Sequence, residues 1–256
     1  MGTSIVIKMG GGTIGATDTT MEDIVSLSKS DIFPVLVHGG GSTVTEWLSD
    51  LGIKTDFVKG LRVTDENVLK VATAVLTGLV NKNIVAGIHR SGGRAIGISG
   101  IDDAMVVAEI QDPELGQVGE VKQVNPDLVL AAIENRIIPV ISSISLTPSP
   151  TFSVVNVNAD SVAGAVAGSL KSEKVIFLTD VPGVMDGAGK VIPLIYGDEV
   201  AGLIEDNVIV GGMIPKVEAC LNAIEHVGSA QIIDGRAEHS LISAINADIG
   251  TIIKKR

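Results

Sequence analysis

Residues 5–12 read IVIKMGGG. The apolar positions run without a break and lack the three-and-four spacing of a helix, which fits a strand covered on both faces. The strand ends near Lys8 and empties into Gly10, Gly11 and Gly12. Residues without a Cβ let backbone N–H groups come close to an anion. A P-loop would close on Gly-Lys-Ser/Thr, whereas Thr13-Ile14-Gly15 follows here. If Lys8 meets a phosphate, the rest of that site comes from elsewhere in the chain.

Outward from this stretch, the same strand type recurs as PVLVH at 34–38, AIGIS at 95–99, IIPVIS at 137–142, VIFLT at 175–179 and AQIID at 230–234. Helical stretches lie between them, at Asn67–Val85, at Ser161–Leu170 and from Ile214, where Val217, Leu221 and Ile224 share one face. The alternation predicts an α/β fold with a mainly parallel sheet. Two stretches interrupt it: residues 104–124 read as a hairpin, and TPSPTF at 147–152 as a Pro-rich connection. A lobe boundary falls near residues 170–175, giving an N-terminal lobe of residues 1–172 and a C-terminal lobe of residues 173–256.

The 256 residues are 45% hydrophobic, enough for a sizeable core. Apolar runs look strand-sized and broken by Gly, Ser or charge, and no basic segment leads into an apolar signal core, so the expectation is a cytoplasmic protein with no membrane partner. A single cysteine, Cys220, fits a reducing compartment. A net charge of −11 and 2% aromatics argue against a nucleic-acid partner. The histidines at 38, 89, 226 and 239 have no metal-ligand spacing, so no metal is expected on protein side chains.

In an open α/β sheet, ligands gather at the carboxyl ends of the strands. Gly39-Gly40-Gly41 opens a helix there, as a tight turn or as an anion site at a helix N-terminus. In GGMIPK, residues 211–216, Lys216 falls near the positive end of a helix dipole, a placement that favours function over a solvated lysine. NVNAD, residues 156–160, sets two amides and a carboxylate at a strand-to-helix junction, where Asp160 has the alternative role of a helix cap. Arg62 in GLRVT, residues 60–64, suits bidentate capture of a carboxylate. No Ser-His-Asp or catalytic-cysteine arrangement accompanies these groups, and lysines with glycine N–H groups suit phosphoryl transfer.

Taken in order, K8-M-G-G, V37-H-G-G-G, G60-L-R-V-T, N156-V-N-A-D, T179-D-V-P-G-V and G211-G-M-I-P-K-V resemble the amino-acid kinase family, and within it the members that phosphorylate N-acetyl-L-glutamate. The resemblance runs from residue 5 to about residue 253. It implies an open three-layer αβα sandwich of two lobes, with N-acetyl-L-glutamate and dimerisation in the first and ATP in the second. It also implies phosphorylation of the side-chain carboxylate, a step of arginine biosynthesis. Lys8 and Lys216 would stabilise the transferring group, Asp160 would hold both lysines, and Mg2+ would come with ATP. Gly40, Gly41, Arg62, Asn156 and Asn158 would bind the acid. Gly10, Gly11, Asp180, Val181, Pro182, Gly183, Val184, Met185, Ile209, Gly211, Gly212 and Met213 would bind the nucleotide.

A carboxylate nucleophile is already ionised at neutral pH, which agrees with the missing base. Where the family often has Lys-Asp-Gly, this chain reads Ser99-Gly100-Ile101-Asp102-Asp103. Ring-forming, arginine-inhibited members carry an extra N-terminal helix, whereas this sequence opens on its first strand; the expectation is a homodimer that arginine does not inhibit. The rival readings are a sibling kinase acting on carrier-bound aminoadipate, a non-catalytic sensor of nucleotide or metabolite, and a dinucleotide oxidoreductase. The last lacks Gly-x-Gly-x-x-Gly after the first strand.

Overall fold

The computed structural model describes residues 3–10, 19–58, 60–110 and 112–256. Along the chain, β1 (Thr3–Met9) is followed by α1 (Thr20–Ser28), β2 (Ile32–His38), α2 (Gly41–Asp50) and the short strands β3 (Phe57–Val58) and β4 (Leu61–Arg62). A helix then runs from Glu66 to Arg90 as α3 (Glu66–Thr73), a π-helical segment (Ala74–Val80) and α4 (Asn81–Arg90). Next come β5 (Ala95–Ser99), β6 (Val106–Ile110), β7 (Val118–Val124), α5 (Asp127–Glu134), β8 (Ile138–Ser142), β9 (Ile144–Leu146) and β10 (Val154–Val157). The remainder is α6 (Ala159–Ser169), β11 (Lys174–Thr179), β12 (Leu194–Tyr196), α7 (Val200–Glu205), α8 (Met213–Ile224), β13 (Ser229–Asp234), α9 (Ser240–Asn246) and β14 (Thr251–Lys254).

Among the described residues the main sheet has eight strands, in the order β12-β14-β13-β11-β1-β2-β8-β5. Its pairs are parallel except β13 with β14. The six strands expected from sequence are all present, and β12 and β14 extend the sheet beyond them. Alternation along β1 sorts the core into two layers. Ile5, Ile7 and Met9 pack with Ile24 and Val25 of α1, Ile84 and Ile88 of α4 and Leu241 of α9. Val6 faces the opposite way, with Val162 and Val166 of α6 and Val217 and Cys220 of α8. Helices on both faces of the sheet make the αβα sandwich. The same alternation sends Lys8 to the α6 side.

The expected hairpin is present as β6 and β7, and it belongs to something larger. With β9 and β10 these strands close a small barrel through pairings of β10 with β7 and of β6 with β9. The helix expected at Asn67–Val85 is longer, because Ile88 continues the buried stripe and carries it to Arg90. This corrects the expectation that no segment reaches membrane-span length: the helix Glu66–Arg90 is long and apolar enough by length and composition. It packs on β5, β8 and α1, with 44% of its apolar window buried inside the fold.

Candidate active site

The carboxyl ends of β1 and β2 and the N-termini of α2 and α6 meet around a cavity of about 260 Å³. Lys8, Gly10, Gly40, Gly41, Arg62, Asn156, Asn158 and Asp160 all line it. Lys8 reaches across to α6, where its Nζ lies 2.7 Å from Asp160 Oδ1, each side chain being less than one-fifth exposed. The contact is an ion pair between the ammonium and the carboxylate, partly shielded from water. Asp160 is not the helix cap: Asn158 is, its Oδ1 accepting from the Asp160 N–H at 2.7 Å. That role leaves the Asp160 carboxylate in the first turn, where the helix dipole favours it.

The Gly39–Gly41 loop has its acceptors occupied and two donors open. The Gly39 carbonyl meets His38 Nδ1 at 2.8 Å, the Gly40 carbonyl accepts from Val44 N–H at 3.0 Å, and the Gly41 carbonyl accepts from Arg62 Nη2 at 2.9 Å. Gly39 N–H donates to Met9 O at 3.0 Å, while Gly40 and Gly41 N–H have no partner among the described residues. Such a loop presents N–H groups to an anion. Gly40 has φ +150, and a methyl group there would come within 2.8 Å of Leu76 Cδ2. The backbone conformation and the close approach both require glycine.

Arg62 forms the far wall. Its Nη2 also donates to Thr45 Oγ1 at 2.7 Å, and the guanidinium stacks 4.6 Å over the Phe57 ring. Nη1 is buried and has no partner among the described residues. Burial lowers the guanidinium pKa from its ordinary value, yet Arg62 stays charged, so an orphan cationic donor lines the cavity. Asn156 Nδ2 donates to Thr64 Oγ1 at 3.2 Å, which fixes its amide at the rim. The Asp102 carboxylate accepts from Ser99 N–H and Oγ at 2.6 and 2.9 Å, so the departure at Ser99–Asp103 closes its own loop, and none of those residues lines the cavity.

Lys216 is the fourth residue of α8 and makes no ion pair among the described residues, so of the two lysines expected at Asp160, only Lys8 is paired with it. Helix packing still carries Lys216 toward this end of the molecule. Gly164 lies against Ala223, and a Cβ at Gly168 would meet His226, so α6 and α8 run side by side in the same direction. Asp160 is therefore level with Cys220, whose thiol pKa is raised by burial and by the Asp160 charge. Lys216 stands one turn beyond, on the face that Cys220 shares.

Of the residues expected to bind nucleotide, Val184 and Ile209 sit in one core cluster and are 1% exposed, while Met185 and the neighbouring Val210 are exposed. The segment Asp180–Met185 follows β11 and is anchored by Val184 N–H to Thr251 Oγ1 at 2.8 Å and by Thr179 Oγ1 to Val181 O at 2.9 Å. Pro182 and Gly183 lie within this anchored turn. Gly211 and Gly212 precede Met213 at the start of α8 with open space around them. Gly11 lies outside the described residues.

The amino acid kinase family matches residues 3–234. The chain belongs to this family. An acetylglutamate kinase of Dehalococcoides mccartyi is 43% identical over 254 residues, covering 97% of this chain and 93% of that one. Another from Syntrophomonas wolfei is 43% identical over 263 residues, covering 98% and 91%. Among solved structures, smu.665 from Streptococcus mutans UA159 superposes with a TM-score of 0.82 at 29% identity, covering 99% of each chain.

In this amino acid kinase the sequence reading missed His38, Asn81, Thr45 and Phe57 as supports of the cavity. His38 directly precedes the glycine triplet, a visible signal. Asn81 gives none, because its contact with the loop spans 43 positions.

Proposed function

We propose that this kinase transfers the γ-phosphoryl group of ATP to the side-chain carboxylate of N-acetyl-L-glutamate, giving N-acetylglutamyl 5-phosphate for arginine biosynthesis. The observation that carries the reading is the pairing, across one cavity, of an orphan buried Arg62 donor with the Lys8–Asp160 ion pair. Arg62 suits the substrate α-carboxylate, which would satisfy Nη1. Asn156 and Asn158 suit the amide end of the acid, and the open Gly40 and Gly41 N–H groups its reacting carboxylate. The nucleophile is ionised at neutral pH, with an unperturbed pKa of about 4.3, so the protein has no proton to remove.

The remaining task is electrostatic: an anion must approach a polyphosphate. Asp160 pins the Lys8 ammonium at the mouth of the glycine loop, where it stabilises charge on the transferring group. Lys216 supplies a second positive charge from α8. Gly10, Gly211 and Gly212 suit the phosphates, and Asp180–Met185 with Ile209–Met213 suits the nucleoside. In this reading Mg2+ arrives with ATP; among the described residues no group of three or more His, Cys, Asp or Glu lies together. Residues 1–172 would serve the acid and residues 173–256 the nucleotide.

The same reading includes a cytoplasmic homodimer. β5 ends the sheet with one side open among the described residues and Ile96 39% exposed on it, an edge that a second copy fits. The deciding experiment is ADP release measured across N-acetyl-L-glutamate, glutamate, aspartate and aminoadipate derivatives. N-acetyl-L-glutamate is expected to give the highest kcat/KM; preference for another acid would overturn the substrate assignment, and no ADP release with any acid would overturn the kinase reading.

A further inference from the structure

Two of the loop's three occupied carbonyls have obvious owners. Forming α2 takes the Gly40 oxygen, and Arg62 takes the Gly41 oxygen. The Gly39 carbonyl is held by His38 Nδ1, from a residue with no other place in the mechanism. A carbonyl only accepts, so Nδ1 carries the proton and Nε2 is left as the acceptor for Asn81 Nδ2 at 3.1 Å. The Asn81 amide is itself fixed, with Nδ2 donating to Val140 O at 2.9 Å and Oδ1 accepting from Lys82 Nζ at 3.0 Å. Both His38 and Asn81 are almost fully buried.

The surroundings are built around this chain of contacts. Asn81 follows directly on the π-helical segment Ala74–Val80, an irregularity that re-aims the side chains after it. Leu76 and Val80 of that segment close over Gly40. On the other side, a Cβ at Gly97 would run into Asn81 Oδ1, so Gly97 gives the amide its room.

We propose that His38 is a positioning residue that locks the Gly39–Gly40 peptide, holding the Gly39 carbonyl away from the substrate cavity and the Gly40 N–H toward it. In a trans peptide the C=O and the following N–H point in opposite directions, so fixing one fixes the other. The directions follow from the lining: Gly39, Gly40 and Gly41 border the 260 Å³ cavity, whereas His38 borders a neighbouring cavity of about 400 Å³ and not the first. A peptide between two glycines has no Cβ to resist a flip. Flipped, it would aim a carbonyl dipole at the site of the substrate anion, turning attraction into repulsion where charge develops. The inference rests on the phosphoryl-transfer reading for its consequence, and on hydrogen-bond geometry alone for the lock itself.

The test compares His38→Asn, His38→Gln and His38→Leu in the ADP-release assay and reads the tautomer of His38 in the wild-type protein by proton–nitrogen NMR. His38→Asn places an amide N–H where Nδ1 stood and is expected to keep kcat within about threefold. His38→Leu and His38→Gln lose that donor and are expected to lower kcat about 100-fold, the scale of one lost oriented donor, with KM for ATP unchanged. Should His38→Leu fail to fold, His38→Gln, which keeps an acceptor for Asn81, carries the comparison. An Nδ1–H tautomer supports the lock and an Nε2–H tautomer overturns it, even if the wild-type protein releases no ADP and the phosphoryl-transfer reading has failed. Wild-type kcat in the folded His38→Leu or His38→Gln protein, or an equal loss in His38→Asn, would also overturn it.

Discussion

Replacing Arg62 by Met tests the acid-binding wall in two directions at once. In the free protein Nη1 is buried without a partner, and an unsatisfied donor of that kind costs about 1–3 kcal/mol. The substitution removes that cost together with the bonds from the charged Nη2 to Gly41 O and Thr45 Oγ1, worth about 1.5–3 kcal/mol each. The relieved cost offsets only part of that loss, so the melting temperature is expected to fall by several degrees. Binding has no such compensation. A hydrogen bond to a charged group contributes about 1.5–3 kcal/mol, so KM for the acid should rise roughly 10- to 150-fold. Arg62→Lys is expected to recover little of this, because an ammonium cannot reproduce the fork. The assay is ADP release with the acid varied at saturating ATP, alongside thermal unfolding. A KM for the acid within threefold of wild type would refute the reasoning, as would an equal rise in KM for ATP.

Lys8→Ala and Lys216→Ala are each expected to lower kcat by about 100- to 1000-fold with a smaller change in KM, measured in the same assay. Burial and the nearby Lys82 charge hold His38 at about 4, below its unfolded value near 6.5, despite the opposing bond to Gly39. The stability this group contributes is therefore present above pH 6.5 and lost as pH falls toward 4, a loss of about 3 kcal/mol by denaturant titration that His38→Leu should flatten. His239 has the opposite sign: its bond to Asp23, with that carboxylate's charge, raises its pKa. Its contribution is present below about pH 6.5 and fades as pH rises through the raised value, which a proton NMR titration of His239 reads directly. Gly97→Ala, which drives a methyl group into Asn81 Oδ1, should cost about 1–3 kcal/mol and lower the melting temperature by several degrees.

Much of the site was legible because short-range chemistry exposed it. A lysine at the end of an apolar strand, glycines at helix starts and an arginine in a tight hairpin each announce themselves locally, and the fold brought these together around one cavity. What stayed hidden was decided at long range. NVNAD offers Asp160 as a helix cap by residue type, yet Asn158 takes that role and the Asp160 carboxylate pairs with Lys8, which reaches it from β1. The small barrel depends on β9 and β10 closing onto a hairpin far away in sequence, through strands of three and four residues that carry little periodicity. The continuation of the long helix past Val85 runs through Gly87, which by residue type reads as a helix breaker, and Ile88 carries the buried stripe across it.

The placement of β1 has a consequence for the two-lobe description. This strand pairs with β2 from the first 172 residues and with β11 from the remainder, so the two proposed lobes would meet along a shared ladder. A chain cut at residue 172 would expose one whole flank of β1, whose Ile5, Val6 and Ile7 are fully buried in the intact protein. Such a flank is a template for pairing with any other open strand. The first half expressed alone should therefore self-associate, and adding the second half in trans should dissolve the aggregates only where its β11 reaches that flank first.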